Sequence, residues 1–550
     1  MKTTSDIKSI HWDITKKCNL RCSHCYNADK YFNKNSEEYI DNELSLEECL
    51  KTVDKLYEAG FGHIHFLGGE PLFSENIFPV IKKAKKYGML ISINSNAILL
   101  TEEVQNKLIE LDIDQYAASI DGCTAKVNDS IRGAGTFDLI CKNMKNFNAL
   151  IKKSKSKIET LIVSTLTKAN SEEILLLPKL ANDLGVGLIT LTTFIESGNG
   201  NINKDNFSCD IGYLCDKIEN MVKEELINYD VALQLDMRPL FCEYLVAKYN
   251  ANVIFNLKNS LCSAGEKVWY LEADGKVHPC LVFQLESGKE ALKRSEFIKE
   301  DICISNIKIN DVKESVYWKS FLKKKKQYDV NNVPTCKNCL LSDICSPCFL
   351  DYDKYDKKVL ECEHVKSKSL SEYNIKKDWI ISLDENVNYK NGVVYKNNKE
   401  ILTFNDNLTK EMLDIINETK KVSELFDLIY NEYEIDKEWL MYEINTFLNK
   451  LISNQVIVKR ERDNMKYIKN KSLVIENIDE QSIIFDKENN QFYELDEIGS
   501  IILDKIEEKS IDNIKEEIME RYAVDSLILE NDISGLLEDL LKKKIIIEIN

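Results

Sequence analysis

The sequence predicts an α/β protein: a parallel sheet covered by helices, followed by an irregular cysteine-rich stretch and two small winged-helix-like α+β domains. Three observations predict it. The first 200 residues alternate between short β-rich runs and amphipathic helical stretches. From about Asp236 to His364 the periodicity fades while cysteines gather. The last 170 residues repeat themselves at a shift of 89.

The β-rich runs are Ile10–Thr15, His63–Gly69, Met89–Asn96, Tyr116–Gly122, Thr160–Leu166 and Gly187–Phe194. Helical stretches lie between them at Ser45–Ala59, Asn76–Tyr87, Glu102–Leu111, Phe137–Lys153 and Ser171–Leu184. Six βα units make either a partial barrel or an open doubly wound sheet, and pattern alone leaves both open. The irregular stretch has too little apolar core to order itself, so bound metal is its natural staple. Residues 366–377 are polar and read as a linker.

In the repeat, Val422, Leu425, Ile429, Tyr433, Ile444, Leu448 and Leu451 fall on Ile511, Ile514, Ile518, Tyr522, Ile533, Leu537 and Leu540. Each copy starts with short β runs and continues into three helices and a closing apolar strand. A period this long is domain-sized rather than solenoidal. Two unrelated helical bundles of like composition are the competing reading, but the apolar positions repeat without a gap.

The 550 residues suit roughly three to four domains. A net charge of −18 leaves no field to attract phosphates, which argues against nucleic-acid binding. No apolar run reaches membrane-spanning length, and the first ten residues lack a signal peptide's apolar stretch, so a cytoplasmic protein with no membrane partner is expected.

Seventeen cysteines in a reducing compartment point to metal rather than disulfides. Ten are grouped. Cys18, Cys22 and Cys25 form C-x3-C-x2-C on the loop after the first strand run. Three thiolates can hold three irons of a [4Fe–4S] cluster and leave the fourth iron open. A structural zinc site, with His24 as fourth ligand, competes with this reading.

With these residues the sequence resembles the radical S-adenosylmethionine (radical SAM) superfamily. Gly68-Gly69-Glu70-Pro71 matches the family's GGE segment, which implies that Gly68, Gly69 and Glu70 bind the methionyl amino group of SAM. Ser95 and Asn96 stand where the family often has Thr-Asn-Gly, with Ala97 replacing the glycine. Ser119, Asp121 and Gly122 resemble its Ser-Leu-Asp-Gly segment, and residues 128–133 its His-Asp-x-x-Arg-Gly. By that match Ser119 and Arg132 hold the SAM carboxylate. The resemblance covers residues 8–200. It implies a partial (βα)6 barrel, reductive cleavage of SAM to a 5′-deoxyadenosyl radical, and a one-electron donor such as flavodoxin or ferredoxin.

The second group is Cys262, Cys280, Cys336, Cys339, Cys345, Cys348 and Cys362. A zinc ribbon built from the middle four is the competing reading. The order is similar to the SPASM domain, which implies two auxiliary clusters and so three [4Fe–4S] clusters in all. Cys336, Cys339, Cys345 and Cys362 would close the outer one. Cys262, Cys280 and Cys348 would hold the inner one, with its fourth ligand either Cys242 or an open position. Two residues, Ser346 and Pro347, stand before the fourth clustered cysteine where the family has three. Leu281 occupies the position of the sulfatase-maturase base, which weakens that reading.

Each C-terminal copy resembles the PqqD-like recognition domain, which implies binding of a precursor peptide's leader as an added strand. The second copy matches better, through Ile483–Asp486 and Phe492–Gly499. A DNA-binding winged helix competes but finds no basic recognition helix here. The expected domains are residues 1–235 (radical SAM barrel), 236–370 (SPASM), 376–465 and 470–550 (PqqD-like copies). The expected function is modification of a ribosomally made peptide, with a thioether crosslink favoured over carbon–carbon crosslinking, epimerisation or a sulfatase-maturase-like reaction. A non-catalytic iron–sulfur scaffold that binds peptide is the alternative of another class.

Overall fold

In the computed structural model the chain forms two compact units, residues 1–375 with 435–453, and residues 376–434 with 454–550. The structure describes residues 7–28, 42–249, 251–255, 262–284, 302–304, 309–327, 336, 339–343, 345, 362, 365, 375, 379–384, 386–390, 392–397, 399–404, 406–416, 420–433, 437–460, 466–478, 481–487, 489–522 and 526–549. Cys348 lies outside the described residues, as does the polar stretch 366–377 apart from Ile375.

Six parallel strands stand where the apolar runs predict them: β1 (Lys8–Asp13), β2 (Phe61–Leu67), β3 (Leu90–Ser95), β4 (Gln115–Ser119), β5 (Glu159–Leu166) and β6 (Leu188–Thr193). They lie side by side in chain order. A doubly wound sheet reverses its order part-way, so this sequence of neighbours selects the barrel-type winding. Four more strands extend the sheet. β7 (Ala232–Leu235) and β8 (Val253–Phe255) continue it in parallel beyond β6, while β9 (Val268–Leu271) pairs with the free side of β1 and β10 (Val277–His278) closes antiparallel on β9. The sheet therefore runs across the 235/236 boundary into the stretch read as irregular. Strands this short show no period to read.

The helices covering the sheet are α1 (Leu46–Glu58), α2 (Ile77–Lys86), α3 (Glu102–Glu110), α4 (Ala125–Arg132), α5 (Thr136–Ser154), α6 (Leu177–Leu184), α7 (Ile211–Glu224) and α8 (Pro239–Tyr249). Ser45 starts α1 with a capping box: Glu48 N donates to the Ser45 hydroxyl, and Ser45 N donates to the Glu48 carboxylate. The helix expected over 171–184 begins only at Leu177, after a 3-10 turn at Ile174–Leu176. Pro178 sits in its first turn, where a missing N–H costs nothing.

The sheet's two faces differ. Ile10, Trp12, Ile64, Phe66, Ile91 and Ile93 are fully buried. The alternate positions are polar and bonded across strands: Ser9 Oγ to His63 Nδ1 at 2.8 Å, His63 Nε2 to Ser92 Oγ at 2.9 Å, and His65 Nε2 to Asn94 Oδ1 at 3.2 Å. A parallel sheet buried by helices on both faces would be apolar on both, so this polar layer marks the barrel's interior.

The repeat is structural. The first copy holds β11 (Ile380–Leu383), a meander of β12 (Val387–Lys390), β13 (Val393–Lys396) and β14 (Lys399–Thr403), α9 (Asn407–Ile416), the short β15 (Lys420–Lys421), α10 (Val422–Glu432), α11 (Lys437–Ser453) and β16 (Ile457–Arg460). The second holds β17 (Lys466–Lys469), a meander of β18 (Leu473–Ile478), β19 (Gln481–Asp486) and β20 (Gln491–Leu495), α12 (Glu497–Lys505), α13 (Ile511–Arg521), α14 (Ser526–Lys542) and β21 (Ile546–Ile549). The shift of 89 carries α10 onto α13, α11 onto α14 and β16 onto β21, end for end. In each copy the closing strand pairs antiparallel with the opening one. One difference breaks the symmetry: α11 belongs to the first compact unit.

Candidate functional site at the strand ends

The residues expected to bind cluster and SAM come from the C-terminal ends of four consecutive strands. The cysteine loop follows β1, Gly68–Glu70 follow β2, Ser95 and Asn96 end β3, and Ser119 ends β4. This edge is where α/β sheets bind ligands, because the strand ends and helix starts converge there.

The two glycines serve the cysteine loop itself. A Cβ on Gly68 would lie 2.4 Å from Thr15 O, and one on Gly69 would lie 2.2 Å from Lys17 O. Gly68 also has φ +126°. Any side chain there would push the cysteine loop away. In their place run two hydrogen bonds, Gly69 N to Thr15 O and Glu70 N to Lys17 O, both 2.8 Å.

Glu70 is buried and ties β2 to β3. Its carboxylate accepts from Ser95 Oγ and Asn96 N, both at 2.7 Å, and from Leu72 N at 3.1 Å. Burial pushes its carboxyl up to about 7, against the opposing pull of those donors. Asn96 continues the chain of contacts, donating to Asn19 Oδ1 at 2.8 Å inside the cysteine loop.

On the far side of the loop the contacts converge on Asp121. Its buried carboxylate meets His24 Nε2 at 2.8 Å and Arg132 at 2.6 Å, and accepts from Thr165 N at 2.8 Å. Burial alone would raise this group, but the Arg132 charge and the hydrogen bonds from His24 and Thr165 N win and hold it well below the usual carboxylate range. Arg132 is only 8% exposed, and among the described residues its Nε has no hydrogen-bond partner. A buried guanidinium donor left over in this way suits an anionic ligand.

Sequence reading missed the brace over the loop. Asn199 donates from Nδ2 to Cys22 O at 2.9 Å and from its backbone to Cys25 O at 3.0 Å, and Asn203 donates to Ser23 O at 3.0 Å. Gly198 lets that segment approach, since a Cβ there would sit 2.6 Å from Cys25 O. The signal was the Ser197–Asn201 run of Ser, Gly and Asn after the sixth strand, which reads only as a loop.

The three thiols fit a cluster. Burial pushes Cys18 up to about 11 and Cys25 up to about 12, and raises Cys22 as well. Thiols so disfavoured as anions need a bound cation to become thiolates. Among the described residues no three His, Cys, Asp or Glu side chains are gathered tightly enough for one metal ion. In a [4Fe–4S] cluster each iron takes its own cysteine, so three thiols can hold it without meeting at one point. The auxiliary set is only partly visible: Cys336, Cys339 and Cys362 are buried, Cys262, Cys280 and Cys345 partly so. Cys242 is 1% exposed on α8.

The radical SAM superfamily model matches residues 12–177, and the model for coenzyme PQQ synthesis protein D (PqqD) matches residues 481–546. The chain carries a radical SAM domain and a C-terminal PqqD domain. That family brings SAM and a [4Fe–4S] cluster as cofactors. The chain is similar to the mycofactocin maturase MftC of Mycobacterium tuberculosis, 30% identical over 140 residues, which is 26% of this chain and 34% of that protein. It is also similar to the AdoMet-dependent heme synthase of Methanosarcina barkeri, 24% identical over 286 residues, covering 50% of this chain and 77% of that one. The match thus spans about a third of the maturase's length. Among solved structures, Streptococcus suis SuiB bound to S-adenosylmethionine aligns with TM-score 0.47 at 16% identity, over 65% of this chain and 76% of that chain. Among the described residues no helix is long and apolar enough to cross a membrane.

Proposed function

We propose that this chain reductively cleaves SAM and uses the radical so formed to modify a ribosomally made precursor peptide, with a thioether crosslink as the product. One observation carries the reading: a cysteine loop braced at the sheet's C-terminal edge shares a chain with a PqqD domain. When bound, cluster and SAM together supply a 5′-deoxyadenosyl radical that can take hydrogen from an unactivated carbon. The protein's own residues position and shield. Cys18, Cys22 and Cys25 hold three irons, and the Asn199–Asn203 brace fixes their loop. Glu70 meets the SAM ammonium, Ser119 and the spare Arg132 donor meet its carboxylate, and Asp121 keeps Arg132 aimed. Two auxiliary clusters, held as the sequence assigns them, bring the total to three. The electron comes from a small one-electron donor of flavodoxin or ferredoxin type. The second PqqD-like copy reads the leader. Reduced protein should release 5′-deoxyadenosine, and precursor should lose two hydrogen atoms per thioether formed. Release of the nucleoside with no change in precursor mass would sink the crosslink reading, and an unchanged precursor with no epimerised residue would sink the peptide reading.

Glu70 sets a pH dependence. Its folded carboxyl is raised to about 7, so the apo protein favours the protonated form, and that contribution to stability is lost as pH rises through 7. Only the carboxylate pairs with an ammonium. SAM affinity should therefore rise between pH 6 and 8 and then level off. Glu70→Gln should flatten this profile and weaken binding roughly 10- to 100-fold, as loss of a charge-assisted hydrogen bond does. Equilibrium SAM binding across that range checks both; a profile unchanged by the substitution would move the ammonium site elsewhere.

Cys242 decides whether the inner auxiliary cluster has an open position. Cys242 lies on α8, whose packing partners include α7, β8 and α11. Cys242→Ala should leave iron content and turnover unchanged, which leaves the fourth position to a substrate thiol. Iron falling by one cluster, to about 8 per chain, would make Cys242 the ligand and remove the main support for a thioether.

A further inference from the structure

The two repeats use their third helices differently. In the second, Leu529, Ile533, Leu537 and Leu540 of α14 face that copy's own core. Asp532, Gly535 and Asp539 on its other side are exposed. In the first, no described residue of α11 is exposed: Leu440, Ile444, Leu448 and Leu451 are buried, and so are Met441, Asn445 and Asn449. Helix α11 packs on α8 and on residues 340–343, the turn between Cys339 and Cys345.

Burying asparagines on a helix is costly unless they are matched. For Asn445 the match is Glu243 of α8, itself fully buried. Asn445 Nδ2 donates to its carboxylate at 3.2 Å and Thr446 Oγ1 at 2.7 Å. At the positions equivalent to Met441, Asn445 and Asn449 the second copy has Glu530, Ser534 and Glu538. Thr446 and Lys450, at the exposed positions of α14, are half-buried in α11. Between the two copies this helix thus keeps its apolar seam and differs on its remaining faces.

We propose that the first repeat is a fixed bracket rather than a second peptide reader: its third helix is held by the first unit through Glu243, Asn445 and Thr446, and no described residue of that helix is left exposed for a peptide to cover. This rests on reading such repeats as leader-binding elements, and it deepens that reading by assigning the task to one copy. It also places the bracket's helix against the turn that joins two proposed auxiliary ligands.

Hydrogen exchange on the reconstituted full-length chain tests the capture without any peptide, so its outcome is independent of whether the second copy reads a leader. In the wild type, amides of 437–453 should exchange in step with those of 239–249, and apart from those of 422–432. Glu243→Ala leaves Asn445 and Thr446 without their acceptor. Protection over 437–453, 239–249 and 340–343 should then fall together, roughly 10- to 100-fold. Residues 481–542 should be unaffected. Glu243→Gln, which keeps an acceptor oxygen, should restore most of the protection. Thr446→Val removes one donor at constant shape and serves if the alanine variant fails to fold. Exchange of 437–453 in step with 422–432, or protection indifferent to both Glu243→Ala and Thr446→Val, would overturn the proposal.

Discussion

Replacing Cys18, Cys22 and Cys25 together with alanine should lower the iron of anaerobically reconstituted protein from about 12 to about 8 per chain, and should abolish SAM cleavage. The loss should be local. The loop is held without the cluster by Gly69 and Glu70 on one side, by Asn199 and Asn203 on another, and by Ser23 N donating to Ile131 O at 2.8 Å. The sheet should therefore stay folded, and a melting curve should show it. These half-buried thiols are disfavoured as thiolates, with Cys18 raised to about 11 and Cys25 to about 12, so the metal-free wild type should react with alkylating agents more slowly than a free cysteine. Iron analysis, absorbance of the cluster and 5′-deoxyadenosine release report together. Stoichiometric zinc in the wild type, or unchanged iron in the triple variant, would end the cluster assignment.

Removing the second repeat should leave all iron and uncoupled SAM cleavage in place and cost precursor affinity at least about 100-fold, while a leaderless core peptide binds as before. The cut belongs before Lys466. β17 pairs with β21, and Tyr467 belongs to the repeat's own core with Ile484, Ile514 and Leu537, so a cut after Asn470 would strand an unpaired strand. No proposed cluster ligand lies beyond residue 362. A milder variant guards against collateral damage. Phe492 stands on β20, an edge strand, and is 70% exposed, stacked on Phe485 at 4.5 Å. Phe492→Ala removes apolar surface that a leader strand could cover without touching the core, and should weaken precursor binding by about tenfold. If both variants modify full precursor at the wild-type rate, leader recognition lies elsewhere.

The six strands and five of the helices in the first 200 residues were legible because each is long enough to show its period, whereas α4, eight residues long, was not expected; the parallel winding places the strand-end motifs at one edge. Glu70 and Arg132 were legible only by resemblance. Their neighbours could not be read: the Glu70 carboxylate bonds to β3, and the Arg132 guanidinium pairs with Asp121, 11 residues away in sequence and across a buried turn. The histidines of the barrel interior escaped for another reason. Ser9, His63, Ser92 and Asn94 sit in strands whose other face is apolar, and alternation alone does not say whether the polar face meets solvent or a cavity.

By itself the sequence determined the alternation of β and α, the grouping of ten cysteines, and the shift of 89 between the C-terminal copies. These are local or periodic properties, carried by residues close together in the chain. Only tertiary structure decided that the strands run in chain order, that the short strands β8, β9 and β10 join the same sheet, and that the Asn199–Asn203 segment clamps the cysteine loop. It alone showed that two helices aligned residue for residue, α11 and α14, belong to different compact units. The reason is physical. A buried carboxylate such as Glu243 and the groups that satisfy it lie about 200 residues apart, and nothing in a local pattern records which distant donors a folded chain will bring to it.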